Sequence, residues 1–242
     1  MRVIGIIPAR WASTRFEGKV LAKIKGKPMI EHVWTRCRLS RRLNDVWIAC
    51  DDQRILKAAE GFGAQAVMTS PDHDSGTDRI AEAAAGLKAD IIINIQGDEP
   101  LIHPGTIDDL AAALMNDSSI LMATVIKAIA SSEELTNPHV VKVVIDQENN
   151  ALYFSRSVIP FNRDNQGFDA IRYYKHLGIY GYRKDFLMRF SRMPKSRLEK
   201  AERLEQLRAL EAGVKIKTVL TTMETVGVDT PEDMARVEKL IN

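Results

Sequence analysis

Short continuous apolar runs alternate with stretches of helical period along the first half of the chain, and this alternation predicts a βα repeat. Val3 to Ile7 is apolar and β-branched, which predicts a strand buried on both faces at the centre of a sheet. Pro28 then opens a helix with Met29, Ile30, Val33, Trp34 and Cys37 on one side. Val46 to Cys50 reads as a second strand, and the helix after it turns Ile55, Leu56, Ala59 and Phe62 inward. Ala64 to Met68 is a further strand. Ser75 or Thr77 is the N-cap of the next helix, which carries Ile80, Ala81, Ala84 and Ala85. Asp90 to Ile95 is a very apolar strand ending abruptly in QGDEP, and a helix with Ile107, Leu110, Ala111 and Leu114 on one side follows. The expected class is α/β, a three-layer, mostly parallel sheet.

The second half is less regular. Val140 to Ile145 and Ala151 to Ser155 read as paired strands joined through turn residues Asp146 to Asn150. Asn162 to Ala170 is polar and predicts a mobile loop. His176 to Arg183 resumes as a strand. Arg197 to Ala212 predicts one long helix ended by Gly213, and Val214 to Thr221 another strand. The last helix is well marked at its start by Thr230 as N-cap, Pro231 next, then Glu232 and Asp233 in the first turn.

A chain of 242 residues with 45% hydrophobic positions suits one α/β domain, expected over 1–242, with an accessory lobe within about 125–190. A net charge of +2, from 34 basic and 32 acidic side chains, argues against a nucleic-acid binder. Arg36, Arg38, Arg41 and Arg42 fall at helical spacing and read as a solvated helix face. Cys37 and Cys50 sit in apolar stretches and read as buried free thiols. The N-terminal apolar run is too short for a signal-peptide core or a membrane span, so a cytoplasmic protein without membrane partners is expected.

In open α/β sheets ligands sit beyond the carboxyl ends of the strands, and three polar clusters fall at such ends. The first, Pro8 to Lys19, places Arg10, Arg15 and Lys19 with Ser13, Thr14 and Gly18 directly after the first strand. Three cations among small hydroxyl residues suit an extended anion; the competing reading is a basic surface loop. It is not a Walker A loop, since Gly18-Lys19 lacks the earlier glycine and Val20 follows in place of Ser or Thr. The second is Gln96-Gly97-Asp98-Glu99-Pro100, where Asp98 is either a magnesium ligand or an ordinary turn residue. In the third, Gly227-Val228-Asp229-Thr230-Pro231, Asp229 reads equally as a helix-start carboxylate. Nothing in the spacing says that Asp98 and Asp229 meet. His176 alternates with apolar neighbours and reads by default as a hydrogen-bonded core histidine, and Glu205 and Arg208 stand at pairing distance on a helix.

The segments IIPARWASTRFEGK, HDSGTDR, NIQGDEP, NPHVVKVV, ALYFSRSVIP, KHLGIYGYR, LEQLRALEAG and GVDTPED, in this order over about residues 3–238, resemble the 3-deoxy-manno-octulosonate cytidylyltransferases. The capsule-associated branch is especially similar through YYKHLGIYGYR and AERLEQLRALEAG. The resemblance implies a nucleotidyltransferase-type fold and a Mg²⁺-dependent reaction of CTP with the sugar acid Kdo, giving CMP-Kdo and pyrophosphate for lipopolysaccharide or capsule synthesis. It implies that Arg10, Ser13, Arg15 and Lys19 hold the triphosphate, with Arg10 and Lys19 stabilising the leaving group. Ser75, Gly76, Thr77 and Arg79 would help enclose the nucleotide, and Asp98 and Asp229 would bind the metal. Gln96, Arg156, Arg163, His176, Tyr180, Glu205 and Gln206 would surround the sugar acid. It also implies a homodimer formed through the accessory lobe.

The chain departs from the family pattern at Trp11, where Tyr is usual, and at Glu17 and Val20, where Pro is usual. Glu17 adds a negative charge beside the expected triphosphate site, and the loss of both prolines predicts a looser loop. Three competing functions stay open on the residues alone. One is a CMP-transferase for another acidic sugar. Another is a glycosyltransferase using a nucleotide sugar, although QGDEP has no second aspartate at D-x-D spacing. The third is a non-catalytic nucleotide-binding module.

Overall fold

The computed structural model describes residues 1–12, 17–164 and 167–241, without the side chain of Asp169. Its first half follows the βα repeat. β1 (Val3–Ala9) leads to a two-stranded ribbon of β2 (Lys23–Ile24) and β3 (Lys27–Pro28), then α1 (Met29–Cys37). β4 (Asp45–Cys50), α2 (Gln53–Gly61), β5 (Gln65–Met68), α3 (Gly76–Ala85), β6 (Ile91–Asn94) and α4 (Pro104–Asn116) complete it. The second half adds β7 (Met122–Ala128), α5 (Ser132–Thr136), β8 (Lys142–Ile145), β9 (Ala151–Ser155), β10 (Tyr174–Arg183) and α6 (Lys184–Phe190). It ends with α7 (Arg197–Glu202), α8 (Gln206–Glu211), β11 (Ile216–Leu220) and α9 (Pro231–Leu240).

Among the described residues the main sheet runs in the order β11-β7-β10-β6-β1-β4-β5, with the β8–β9 hairpin branching from β10. β1 pairs in parallel with both β4 and β6, and β11 with β7, whereas β10 lies antiparallel to β6 and β7. Side chains alternate across the sheet, so Val3 and Ile7 enter one apolar cluster with Ile93 and Leu110. Ile4 and Ile6 enter the other with Ile80 and Phe186. A strand covered on both faces must be apolar throughout, which is why Val3 to Ile7 shows no alternation. Each fully buried isoleucine contributes about 1.5–3 kcal/mol of transfer free energy.

Several features depart from or add to the sequence expectations, among them the β2–β3 ribbon and α5. β7, in an apolar run left unassigned, is inserted between β10 and β11, so the stretch 125–190 contributes two strands to the main sheet. α6 is likewise new. The single helix expected over Arg197 to Ala212 is two short helices, broken at Arg203, whose backbone is left-handed (φ 54°, ψ 48°). That conformation costs about 1–2 kcal/mol for a residue with a Cβ. Leu204 and Leu207, just after the break, are both buried in the core, which offsets the cost. The caps follow the sequence more closely: Ser75 accepts from Asp78 N at the start of α3, and Thr230 forms a reciprocal capping box with Asp233 on α9.

Candidate active site

The carboxyl ends of β1 and β6 and the start of α3 converge on Pro8. Adding a Cβ at Gly97 would bring it to 3.0 Å from the Pro8 carbonyl oxygen, so a glycine is needed where these two strand-end segments approach. Two adjoining cavities open here. One is lined by Arg10, Lys19, Gln96 and Asp98, the other by Arg10, Ser75, Gly76 and Arg79, with Pro8, Arg10 and Gln96 common to both. The cleft lies where a ligand of a parallel sheet belongs.

Lys19 is the centre of the polar arrangement. Its Nζ donates to Asp98 Oδ2 at 2.8 Å, to Asp229 Oδ1 at 3.1 Å and to the Val228 carbonyl at 2.9 Å. The lysine side chain is only 12% exposed, whereas Asp98 and Asp229 retain 36% and 56%. A backbone bond from Val228 N to the Asp98 carbonyl, 2.9 Å, ties the two segments together. Two carboxylates therefore face one cationic position and stay open to solvent on the cleft side. No group of three or more His, Cys, Asp and Glu suited to a metal ion occurs among the described residues. The pair alone fits magnesium, which uses one or two carboxylates and completes its shell with phosphate oxygens and water.

Neighbouring Glu99 has a carboxyl pushed up to about 8, chiefly by burial and secondarily by Asp98. Its Oε2 makes no hydrogen bond. The exposed Arg10 stands at the cleft edge. Ser13 and Arg15 lie outside the described residues.

The residues after β5 separate into two groups. Ser75 and Gly76 line the cleft, with Ser75 also fixing the start of α3. Arg79 lines it too, yet its guanidinium is held from below: NH2 pairs with Asp51 Oδ2 at 3.0 Å, and NH1 donates to Thr69 Oγ1 at 2.6 Å. The residue is 3% exposed. Thr77 turns the other way and donates to Glu205 Oε2.

That contact leads into a second polar group. Burial raises the Glu205 carboxyl, while the Thr77 hydroxyl and Arg208 oppose the rise. The expected Glu205–Arg208 contact is present at 3.6 Å, but Arg208 binds Glu199 more closely, at 2.6 and 2.8 Å. Gln206 is 3% exposed, and its Nε2 has no hydrogen-bond partner among the described residues. Gln96 donates from Nε2 to the Gly178 carbonyl at 3.0 Å, where the register of β10 against β7 shifts.

His176 Nε2 lies 2.9 Å from Thr124 Oγ1, with Phe154 packed edge-on and Tyr180 beside the ring. Burial pushes its imidazole down to about 3, so it is neutral near pH 7. Burial also raises the Tyr180 phenol, aided by Glu205. Arg156 is anchored by Nε to the Glu202 carbonyl at 3.0 Å and by NH1 to the Pro138 carbonyl at 3.1 Å. Arg163 is exposed in the loop beyond β9.

The structure thus gathers Lys19, Asp98 and Asp229 at one end of the cleft, with Arg10 at its edge. Thr77, Glu205, Gln206 and Tyr180 form the second group, and Arg163 is exposed on the surface. Asp51 was missed by the sequence reading, although it follows β4 directly, just as the other candidate carboxylates follow apolar runs. Thr124 gave no such signal, because a hydroxyl inside an apolar strand reads as an ordinary strand residue.

The cytidylyltransferase family model matches residues 4–216. A 3-deoxy-manno-octulosonate cytidylyltransferase of Geobacter sulfurreducens is 51% identical, over 99% of this chain and 100% of its own length. Among solved structures, CMP:2-keto-3-deoxy-manno-octonic acid synthetase complexed with CTP superposes with a TM-score of 0.94 at 44% identity. The match covers 99% of this chain and 98% of that one. A 4-diphosphocytidyl-2C-methyl-D-erythritol synthase matches at a TM-score of 0.67 and 13% identity, covering both chains fully, which extends the likeness of fold alone.

Proposed function

The chain belongs to the 3-deoxy-manno-octulosonate cytidylyltransferase family, and we propose that it couples CTP to Kdo, releasing pyrophosphate and forming CMP-Kdo for lipopolysaccharide or capsule assembly. The observation that carries this reading is the Lys19 ammonium holding Asp98 and Asp229 together in a cleft edged by Arg10.

The anomeric hydroxyl of Kdo attacks the α-phosphorus of CTP, the new C–O–P linkage forms, and the bond to pyrophosphate breaks in line. Such a transfer depends on positioning and on neutralising the leaving group's charge. Arg10 and Lys19 are the cations available for that charge at the strand ends. Asp98 and Asp229 are the residues that would hold Mg²⁺, which would supply positive charge against that of the phosphates. The segment Ser75 to Gly76 borders the nucleotide, backed by the buried Arg79. Gln96, Tyr180, Glu205 and Gln206 face the sugar acid, with Arg156 and His176 as supports and Arg163 at the rim. The unpartnered Gln206 amide suits a ligand rich in hydroxyls.

The protein acts as a homodimer in the cytoplasm. Support for self-association comes from Val158 and Phe161, which are 38% and 84% exposed beyond β9. Support for a reducing compartment comes from Cys37 and Cys50, both buried free thiols. Among the described residues no helix is long and apolar enough to cross a membrane.

Pyrophosphate release tests the reaction directly. Each of the four nucleoside triphosphates is offered with Kdo, with a sialic acid and with no acceptor. Release with CTP and Kdo alone, abolished by a magnesium chelator, is the expected result. Equal release without acceptor, or a preference for UTP or GTP, overturns it. Size-exclusion chromatography with light scattering checks the dimer, and a monomer at micromolar concentration contradicts it.

A further inference from the structure

Trp11 and Glu17 flank residues 12–16 of the cationic segment, and they are bonded to each other. Trp11 Nε1 donates to Glu17 Oε1 at 2.7 Å, and Gly18 N donates to the Trp11 carbonyl at 3.0 Å. Gly18 has φ +68°, and a Cβ there would lie 2.8 Å from the Trp11 ring, so the closure needs glycine for both its backbone and its contact. On the ring's other contact, the Arg54 guanidinium carbon lies 3.4 Å from the ring centroid. Arg54 also binds Asp52 at 2.7 and 2.8 Å, which fixes the guanidinium over the indole. The Trp11 backbone is anchored in turn, since Trp11 N donates to Asp51 Oδ1 at 2.8 Å. The other Asp51 oxygen is held by buried Arg79. Trp11 is therefore a hub: its backbone is tied to the body of the domain and its side chain to the far end of the segment.

We infer that the Trp11–Glu17 pair, stacked under Arg54 and anchored through Asp51, is a clasp that fixes the neighbouring Arg10 and Lys19 relative to each other, making Trp11 and Glu17 positioning residues for the nucleotide triphosphate. The inference rests on the proposed CTP reaction. Cations whose positions are fixed before an anion binds leave less conformational freedom to be lost on binding. The Glu17 carboxylate accepts from the indole N–H and interacts with the Arg54 charge, so it has partners of its own outside the triphosphate site.

The clasp and a simple electrostatic penalty from Glu17 predict opposite signs. If Glu17 only repels the triphosphate, Glu17→Ala lowers KM for CTP. If it holds Arg10 and Lys19 in place, Glu17→Ala and Trp11→Phe each raise that KM by roughly three- to tenfold, with kcat changed less. Glu17→Gln keeps an oxygen to accept from the indole and stays within about twofold of the unsubstituted chain. The double variant, Trp11→Phe with Glu17→Ala, is no worse than either single one, because both remove the same bond. Additive effects, or a Glu17→Gln variant as impaired as Glu17→Ala, overturn the clasp. The same double-mutant cycle measured by urea unfolding without nucleotide reads the bond independently of catalysis. A nonadditive unfolding cycle in a protein that does not turn over CTP and Kdo would keep the clasp and reject the reaction. An additive cycle in an active protein would reject the clasp alone.

Discussion

Asp98 and Asp229, far apart in sequence, accept hydrogen bonds from one ammonium, Lys19 Nζ, at 2.8 and 3.1 Å. Each carboxylate had a bland explanation when considered alone, as a turn residue or as a helix-start anion. A shared buried lysine satisfies neither explanation. Gathering two acids at a strand-end cleft brings mutual repulsion, and the intervening cation offsets it.

Asp98→Asn and Asp229→Asn are each expected to lower turnover about a hundredfold or more while leaving the circular dichroism spectrum unchanged. Titration with Mn²⁺ in the presence of CTP, followed by electron paramagnetic resonance, should show weakened metal binding in both. A near-normal rate and metal affinity in either variant would remove that residue from the metal site.

The Asp51–Arg79 pair predicts a loss of stability. Both side chains are nearly buried, so Arg79→Met leaves an uncompensated carboxylate and should cost about 3 kcal/mol in urea unfolding. Asp51→Asn should cost a comparable amount and raise KM for CTP as well, because it weakens the anchor on Trp11 N. Unchanged stability in Arg79→Met would contradict a structural role for the pair.

Gln206 makes the opposite kind of prediction. Its unpartnered, buried Nε2 is costly in the free protein, so Gln206→Leu should be neutral or more stable by about 1 kcal/mol. The same change should raise KM for Kdo roughly tenfold and leave KM for CTP nearly unchanged. Equal effects on both substrates would place the amide elsewhere than against the sugar acid.

His176 should impose a pH dependence on folding. Its folded imidazole is pushed from 6.5 down to about 3, so above pH 6.5 it is neutral in both states and contributes no slope. Between pH 6.5 and 3 the unfolded chain takes up the proton first, and stability falls with acidification by up to about 1.4 kcal/mol per unit. The stability difference between the unsubstituted chain and His176→Gln, compared at pH 7.5 and 5.0, should shift by about 1–2 kcal/mol in favour of the variant at low pH. A constant difference would show that the ring is not held neutral.

Local chemistry made much of this molecule legible before any coordinates. A run such as Val3 to Ile7 lacks polar positions because both its faces are covered, and that signal is contained in the run itself. Thr230, Pro231 and Asp233 mark a helix start through bonds to their own neighbours, so the sequence carried that boundary too. The cationic residues after the first strand were visible for the same reason. Arg203 shows where local reading stops: a favourable helical pattern is broken there by a left-handed residue, because tertiary packing overrides propensity.

The pairing of Asp98 with Asp229 through Lys19, the burial of Arg79 against Asp51, and the bond between Trp11 and Glu17 were decided only by tertiary structure. The first two join residues from different βα units, brought together by the order of the sheet, which no spacing along the chain encodes. The third joins near neighbours, yet its geometry depends on Asp51 and Arg54 from another βα unit. Sequence determined which side chains were available at each strand end; the sheet order determined which of them share a charge or a hydrogen bond.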